Sequence, residues 1–361
     1  MADLGSTPAL YAAQPTIMID GQNDPDLSDE IITLLVEEKT TGLYRCEATF
    51  NNLGSRSSGA DFLFFDRDIL EFGKSFAVRA GGGDSEAEIF SGRIMALEAH
   101  YPVNSSSEIV VLAEDRFQDL RMTRRTRIFE QASDRDVIGE VARHYNLQTD
   151  IDIDGPTYPV VAQLNQSDLA FIRERARAVD AEVWLEGETL HAQARGRREA
   201  ERVTLTYQQG LLELSILADL AHQRSEVTVS GWDVTAKEAI VSETGESAIQ
   251  AELNGHIGGG SILSRAIGSR NEHIVHHAPF TSEEARQLAE AHYRTAARRF
   301  VSGQGICNGD GRIRVGGRIT LRGVGPLFKG EYYVTAVRHM FDGLNGYRTR
   351  FSIERPGIGA N

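Results

Sequence analysis

Two cysteines in 361 residues give this chain almost no covalent bracing. Cys46 and Cys307 fall in strand-like contexts, and neither belongs to a C-x-x-C or other ligand spacing. They read as two buried free thiols of a protein made in a reducing compartment. No run approaches the roughly eighteen apolar residues that a membrane helix needs, so no membrane insertion is expected. The first residues, MADLGSTPALYAAQPT, lack the basic start and apolar core of a signal peptide. The chain therefore reads as made in a cytoplasm, leaving it only as part of a particle. Basic charge is also short: 38 Lys and Arg stand against 52 Asp and Glu, a formal net charge of -14. That balance excludes a protein built to coat nucleic acid or to lie on an anionic membrane. Aromatics are 7% of the chain, too few for a binding module that stacks ligands on one sheet face.

What the sequence does have is a repeated pattern. Val315 to Arg355 reads as three strands joined by turns. In its last strand Tyr347, Thr349, Phe351 and Ile353 share one face and Arg348, Arg350, Ser352 and Glu354 the other, the alternation of a half-buried antiparallel strand. Asp342-Gly343 and Asn345-Gly346 mark the turn before it. Phe72 to Asp115 carries a second copy. Gly73, Phe76, Val78 and Arg79 align with Gly316, Ile319, Leu321 and Arg322. Phe90-Ser91-Gly92 aligns with Phe328-Lys329-Gly330, and His100 with His339 if a β-bulge adds one residue to the later copy. The shared anchors predict an internal duplication.

The later copy, GGRITLRGVG followed by GYRTRFSIER, resembles the end of the phage late-control D proteins, the central tail hubs of contractile phages. It is similar to the hub portion of type VI secretion valine-glycine-repeat spike proteins and of extracellular contractile injection systems. Leu164 to Ala194 resembles the family's middle segment, a Ser-Asp-x-x-Phe helix start followed by a hairpin. The two matches come in the family's order and span most of the chain. The resemblance implies a mainly β fold with an α+β middle domain and two similar β-barrel, tube-like domains related by internal duplication. The expected division is a flexible tail over 1–15, a first barrel over 16–118, a middle domain over 119–200, a second barrel over 201–355 with an inserted arm and helix at about 233–299, and a C-terminal tail over 356–361. It implies a structural baseplate hub, assembled in the bacterial cytoplasm, whose homotrimer joins a hexameric inner tube or tube-initiator protein to a trimeric central spike and meets baseplate wedge proteins. Only PGIGAN follows Arg355, so the spike is expected to be a separate protein. No stable nucleic-acid binding is implied. The alternative is a tail-associated cell-wall hydrolase or peptidase.

An enzyme would need a catalytic constellation, and none stands out. DGQNDPDLSDE reads as an acidic loop, but with Asp20 or Asp24 first it puts Pro25 or Asp29 where a calcium loop needs Gly. His273, His276 and His277 beside Glu272 do not make a zincin motif. Gly258 to Ser261 precedes no Lys, so it is no phosphate loop. His339 sits in a strand beside Arg338 and reads as a packing residue. Arg116, Arg121, Arg124, Arg125 and Arg127 read as a solvated or salt-bridged interface, because only Phe117 and Phe129 flank them. Trp184 and Trp232 read as core or interface anchors. No catalytic, cofactor or metal residue is therefore assigned. Helices are expected after Ser133, after Ser167 and after Thr281, whose Glu284 completes a capping box. Ala248 to Ser269, with three consecutive glycines, reads as a mobile loop or arm.

Overall fold

The computed structural model describes residues 14–56, 59–82, 86–198, 201–234, 236–275 and 279–359. The two histidines His276 and His277, and the tail before residue 14, lie outside the described residues. Twelve strands carry the architecture and are numbered here in chain order. The first six are β1 (Thr16–Ile19), β2 (Ile31–Lys39), β3 (Arg45–Asn51), β4 (Ser75–Ala80), β5 (Ala87–His100) and β6 (Glu108–Glu114). The last six are β7 (Arg202–Tyr207), β8 (Gly210–Ala218), β9 (Val301–Asn308), β10 (Arg318–Arg322), β11 (Gly330–Asp342) and β12 (Gly346–Arg355). One continuous sheet runs β1-β4-β5-β6-β3-β2-β11-β10-β7-β8-β9-β12, and β12 pairs back onto β11. The second six strands thus form a closed barrel, in which β7 meets β8 only at Gly210 and Leu211.

The first six close differently. Among the described residues no ladder joins β1 to β2. Their gap is filled by a short helix, Pro25–Asp29, capped by the Asp24 carboxylate on the Leu27 N–H at 2.9 Å. Ser28 Oγ accepts from the Ile17 N–H at 2.9 Å, satisfying the edge that a strand would otherwise have covered. DGQNDPDLSDE is therefore not only a loop: the Asp-Pro pair starts a helix, with Pro at a first-turn position where its missing N–H costs nothing.

The duplication is written in backbone geometry. Ile94 opposes Ala113 and Ala96 opposes Leu112, leaving Met95 unpaired. Val334 opposes Ile353 and Ala336 opposes Ser352, leaving Thr335 unpaired at the equivalent place. A second bulge leaves Ile32 unpaired against β3 and Leu212 unpaired against β9, again at equivalent places. Gly73 and Gly316, at φ +80° and +88°, precede β4 and β10. Their N–H groups donate to the carbonyls of Ile94 at 2.9 Å and Val334 at 3.0 Å. Hence β2, β3, β4, β5 and β6 correspond to β8, β9, β10, β11 and β12. Bulges re-aim strands at defined points, so two shared bulges are a stronger sign of common ancestry than any shared residue type.

Two parts of the sequence alignment are corrected by this register. Phe90 opposes Val78 and Gly330 opposes Leu321, so Phe90 corresponds to Gly330 and not to Phe328. Both copies carry the same bulge, so no residue is extra, and His100 corresponds to Met340. His100 is exposed whereas His339 is fully buried.

Between β6 and β7 lies a unit with its own core. Helix α1 (Asp134–His144) and helix α2 (Asp168–Ala178) pack Val137, Ile138, Val141, Leu169 and Ile172 against Leu190 of a three-stranded sheet. Ser133 caps α1 in a reciprocal box with Asp136, and Ser167 caps α2. A two-stranded ribbon, Arg124–Ser133 with Thr157–Ser167, was not foreseen from the sequence. Between β8 and β9 the chain builds a three-stranded sheet covered by helix α3 (Ser282–Arg298). Thr281 Oγ1 accepts from the Glu284 N–H at 3.1 Å, but the Glu284 carboxylate accepts from the Phe280 N–H at 2.8 Å and not from Thr281, so the expected box is only half formed. The expected arm over residues 248–269 is instead folded. It contains helices Gln250–Leu253 and Gly259–Ala266 and buries Ile249, Leu253 and Leu263. Gly357–Ile358 pairs with Ile257–Gly258, fastening the chain's last described residues to that segment.

Candidate functional site: the open strand edges

The two barrels are joined by a ladder between β2 and the second half of β11. Lys39 opposes Ala336, Glu37 opposes Arg338, and Thr33 opposes Asp342. The backbone pairing is reinforced by charge. Arg338 Nε donates to Glu37 Oε1 at 2.6 Å, and Arg45 reaches the other oxygen at 2.7 Å. Burial alone would raise the Glu37 carboxyl, but these two arginines hold it below the usual carboxylate value. Next to it Glu38 is buried; it accepts from the Val315 N–H at 3.1 Å and pairs with Arg314. Arg314 also donates to the Glu88 carbonyl at 2.7 Å, so one side chain ties both copies together. His339 lies beneath this ladder with its Nδ1 2.8 Å from the Tyr347 hydroxyl and 3.3 Å from Thr349 Oγ1. Burial, helped by Arg314, pushes its imidazole down to about 3. It is fully buried and stays neutral, as a packing group.

This junction joins unlike edges, the β2 edge of one copy and the β5-type edge of the other. Each copy therefore retains the edge it did not use. In the first copy that is the end of β5, residues 96–100, paired only with β6. In the second it is the side of β8 facing away from β9 after Leu211, where the β7 contact ends. Leu217 on this strand is 59% exposed. Two complementary open edges can pair head to tail with other copies, which is how heterologous contacts close into rings.

Elsewhere the structure shows charge held in pairs. Asp168 is fully buried and accepts from Arg125, Arg127, Tyr145 and Gln163, all at 2.8 to 3.0 Å. Burial would raise its carboxyl, and those donors bring it below its ordinary value. Arg121 pairs with Glu114, Arg116 with Glu188, and Arg124 donates to the Asn165 carbonyl. Within the arginine cluster Arg125 and Arg127 thus share one buried carboxylate, while Arg121 and Arg124 stay exposed. A cleft of about 1130 Å³ opens between α2, α3 and the second barrel. Of its lining residues, Arg298 pairs with Asp180, and also with Glu252, while Arg195 pairs with Glu182 and Glu354.

Among the described residues the remaining candidates are not brought together. Glu272 pairs with Arg224 at 2.8 Å, and His273 faces Ser230 at 3.2 Å. The Gly258–Ser261 turn does start a helix, but Glu246 already accepts from the Ser261 N–H at 2.9 Å. Asp24 is spent as a helix cap, and Asp20 accepts from the Ser75 N–H at 3.0 Å. Trp184 is buried with Arg198 4.0 Å above its ring, as an anchor should be. Trp232 is 54% exposed, so it is not a core residue. Cys46 and Cys307 are both buried and unpaired. Among the described residues no group of three His, Cys, Asp or Glu could hold a metal ion. The edge residues escaped the sequence reading because Glu37 and Arg338 are about 300 residues apart, and no local pattern marks a strand's unpaired side.

The fold is that of phage tail proteins. The 43 kDa tail protein of prophage MuSo2 from Shewanella oneidensis superposes with a TM-score of 0.70 at 11% identity, over 95% of this chain and 98% of that one. A tail protein of Neisseria meningitidis MC58 gives 0.67 at 11% identity, over 97% and 98%. An Escherichia coli component of the type VI secretion system, itself structurally similar to tail proteins of bacteriophage T4, gives 0.59 at 12% identity, over 96% and 79%. No curated protein matches the chain in sequence. The sequence pattern of one family does match, over residues 12–342, and the chain belongs to that family, described as the Alg8 N-terminal domain.

Proposed function

We propose that the chain is the structural hub of a contractile phage tail or tail-like injection particle, acting as a homotrimer. The observation that carries this is the pair of complementary open edges, β5 and β8, left over by a junction that already joins two equivalent barrels. Three chains linked through those edges place six similar barrels in one ring. Such a ring matches the sixfold symmetry of an inner tube while keeping threefold symmetry for a central spike, and baseplate wedge proteins would surround it. Repeating the β2–β11 register between chains sets Leu97 opposite Ala218, Glu98 opposite Leu217, and His100 opposite Ser215. The division into barrel, middle domain and second barrel with its insertion serves this role, because the barrels form the ring and the other units hang from it.

Directly opposite side chains on paired strands interact, and like charges there repel. Leu217→Glu should therefore lower the trimer fraction by placing a carboxylate against Glu98, and adding Glu98→Lys should restore it. Mass measurement in solution at several concentrations, with and without the spike protein, reads the result. A trimer indifferent to Leu217→Glu, or no trimer under either condition, contradicts the reading. A wall hydrolase is less favoured, since the lining carboxylates of Asp180, Glu182 and Glu354 are engaged by Arg298 and Arg195.

A further inference from the structure

Among the described residues the two most exposed large apolar side chains are Leu344, at 92%, and Val103, at 89%. Single exposed aliphatics need no explanation. These two are not independent, however. Val103 lies in the turn between β5 and β6, and Leu344 in the turn between β11 and β12. The register makes those turns equivalent, with Val103 matching Gly343 and Asn104 matching Leu344, so both copies put an aliphatic side chain at the tip of the same hairpin, one residue apart.

The tips are also held ready. Asp342 Oδ1 accepts from the N–H groups of Leu344 at 2.9 Å and Asn345 at 2.7 Å, fixing the turn that presents Leu344. In the other copy Tyr101, two residues before Val103, packs edge-on against Phe62 and Phe65, with ring centroids 6.4 and 6.2 Å away. Holding a turn in its presented shape removes part of the ordering cost of binding. The two large excursions of the chain leave from the opposite end of the barrels. The middle unit follows the end of β6, and the unit containing α3 follows the end of β8. The hairpin-tip end is thus where the two copies offer matching features, and the far end is where they differ.

We propose that Val103 and Leu344, at the tips of equivalent hairpins, are the anchors by which this end of the ring engages a sixfold ring partner, each entering one apolar pocket of a partner subunit. The inference rests on the trimeric reading above and adds to it the contacting end and the contacting residues. The partner's chemistry follows from the tips: six like sites, each taking one aliphatic side chain. The far end, carrying unlike units on alternate barrels, is left for a threefold partner.

The test uses the full chain and the purified inner-tube protein of the same particle, assembled as hexameric rings. Binding is measured for the wild type, Val103→Asp, Leu344→Asp and the double variant, alongside each variant's mass and melting temperature. Both residues are exposed, so mass and melting should stay unchanged. Each single change should weaken ring binding by at least about tenfold, the scale of losing one buried aliphatic side chain, and the double change should weaken it further than either. Wild-type binding by both single variants, or an effect confined to one tip, overturns the inference and leaves the trimer standing. A wild-type trimer that does not bind the rings overturns it as well. If no trimer forms at all, the hub reading fails, and this inference fails with it.

Discussion

At the scale of residues the chain's buried titratable groups serve its structure. Asp168, Glu38 and His339 are all inaccessible to solvent, and each is held by named partners. His339 makes the consequence measurable. Its folded-state value lies near 3, below the ordinary 6.5, so below pH 6.5 the unfolded chain binds a proton that the folded chain refuses. Its contribution therefore lowers stability as pH falls from about 6.5 toward 3, by about 1.4 kcal/mol per pH unit over most of that range. Denaturant midpoints for wild type and His339→Met at pH 7, 6 and 5 check this. The wild type should lose stability faster than the variant, and parallel pH profiles would show that His339 is not the group responsible. The sequence placed this histidine in a strand and read it as packing, which holds. Its pairing with His100 did not hold, because a bulge shared by both copies is invisible in composition and its position is set by the ladder.

At the scale of elements, legibility followed periodicity. The capped helices after Ser133, Ser167 and Thr281 were read from local signals that the structure reproduces, because a cap and an apolar stripe act within a few residues of each other. Residues 248–269 were misread because Gly258-Gly259-Gly260 looks like flexible chain. Those glycines serve close packing instead. A Cβ on Gly259 would meet Gln223 Oε1 at 2.5 Å and the Phe300 ring at 2.7 Å, and one on Gly260 would meet the Tyr293 hydroxyl at 2.6 Å and the Arg224 carbonyl at 2.7 Å. Gly260→Ala should then destabilise the protein by about 1–3 kcal/mol, as overpacking does. Gly196→Ala, whose Cβ would meet nothing within 4 Å, should be close to neutral. Equal melting temperatures for the two variants would return the segment to the status of a loose arm. The ribbon Arg124–Ser133 with Thr157–Ser167 was missed for another reason: its outward face carries Ile128, Val160 and Leu164, so the polar-apolar alternation that reveals a strand is blurred.

At the scale of the whole molecule one contact explains the rest. The β2–β11 ladder joins unlike edges of like barrels, so its repetition between chains requires no new geometry. The duplication was legible in the sequence because both copies keep Gly at the same strand entrance. How the copies meet was not, since strand pairing across some 300 residues leaves no local trace. The most direct measurement is a cross-link in the predicted register. Glu98→Cys and Leu217→Cys in one chain would face each other across neighbouring protomers, at the separation that opposed strand residues and disulfides share, about 4.5–5.5 Å between Cα atoms. The native Cys46 and Cys307 are buried, and burial raises both thiols, so neither competes. Oxidation should give a covalently closed trimer on a denaturing gel, while Glu98→Cys with Ile216→Cys, one residue out of register and on the opposite face, should not. Monomers after oxidation of the first pair, or equal cross-linking by both pairs, would contradict the ring.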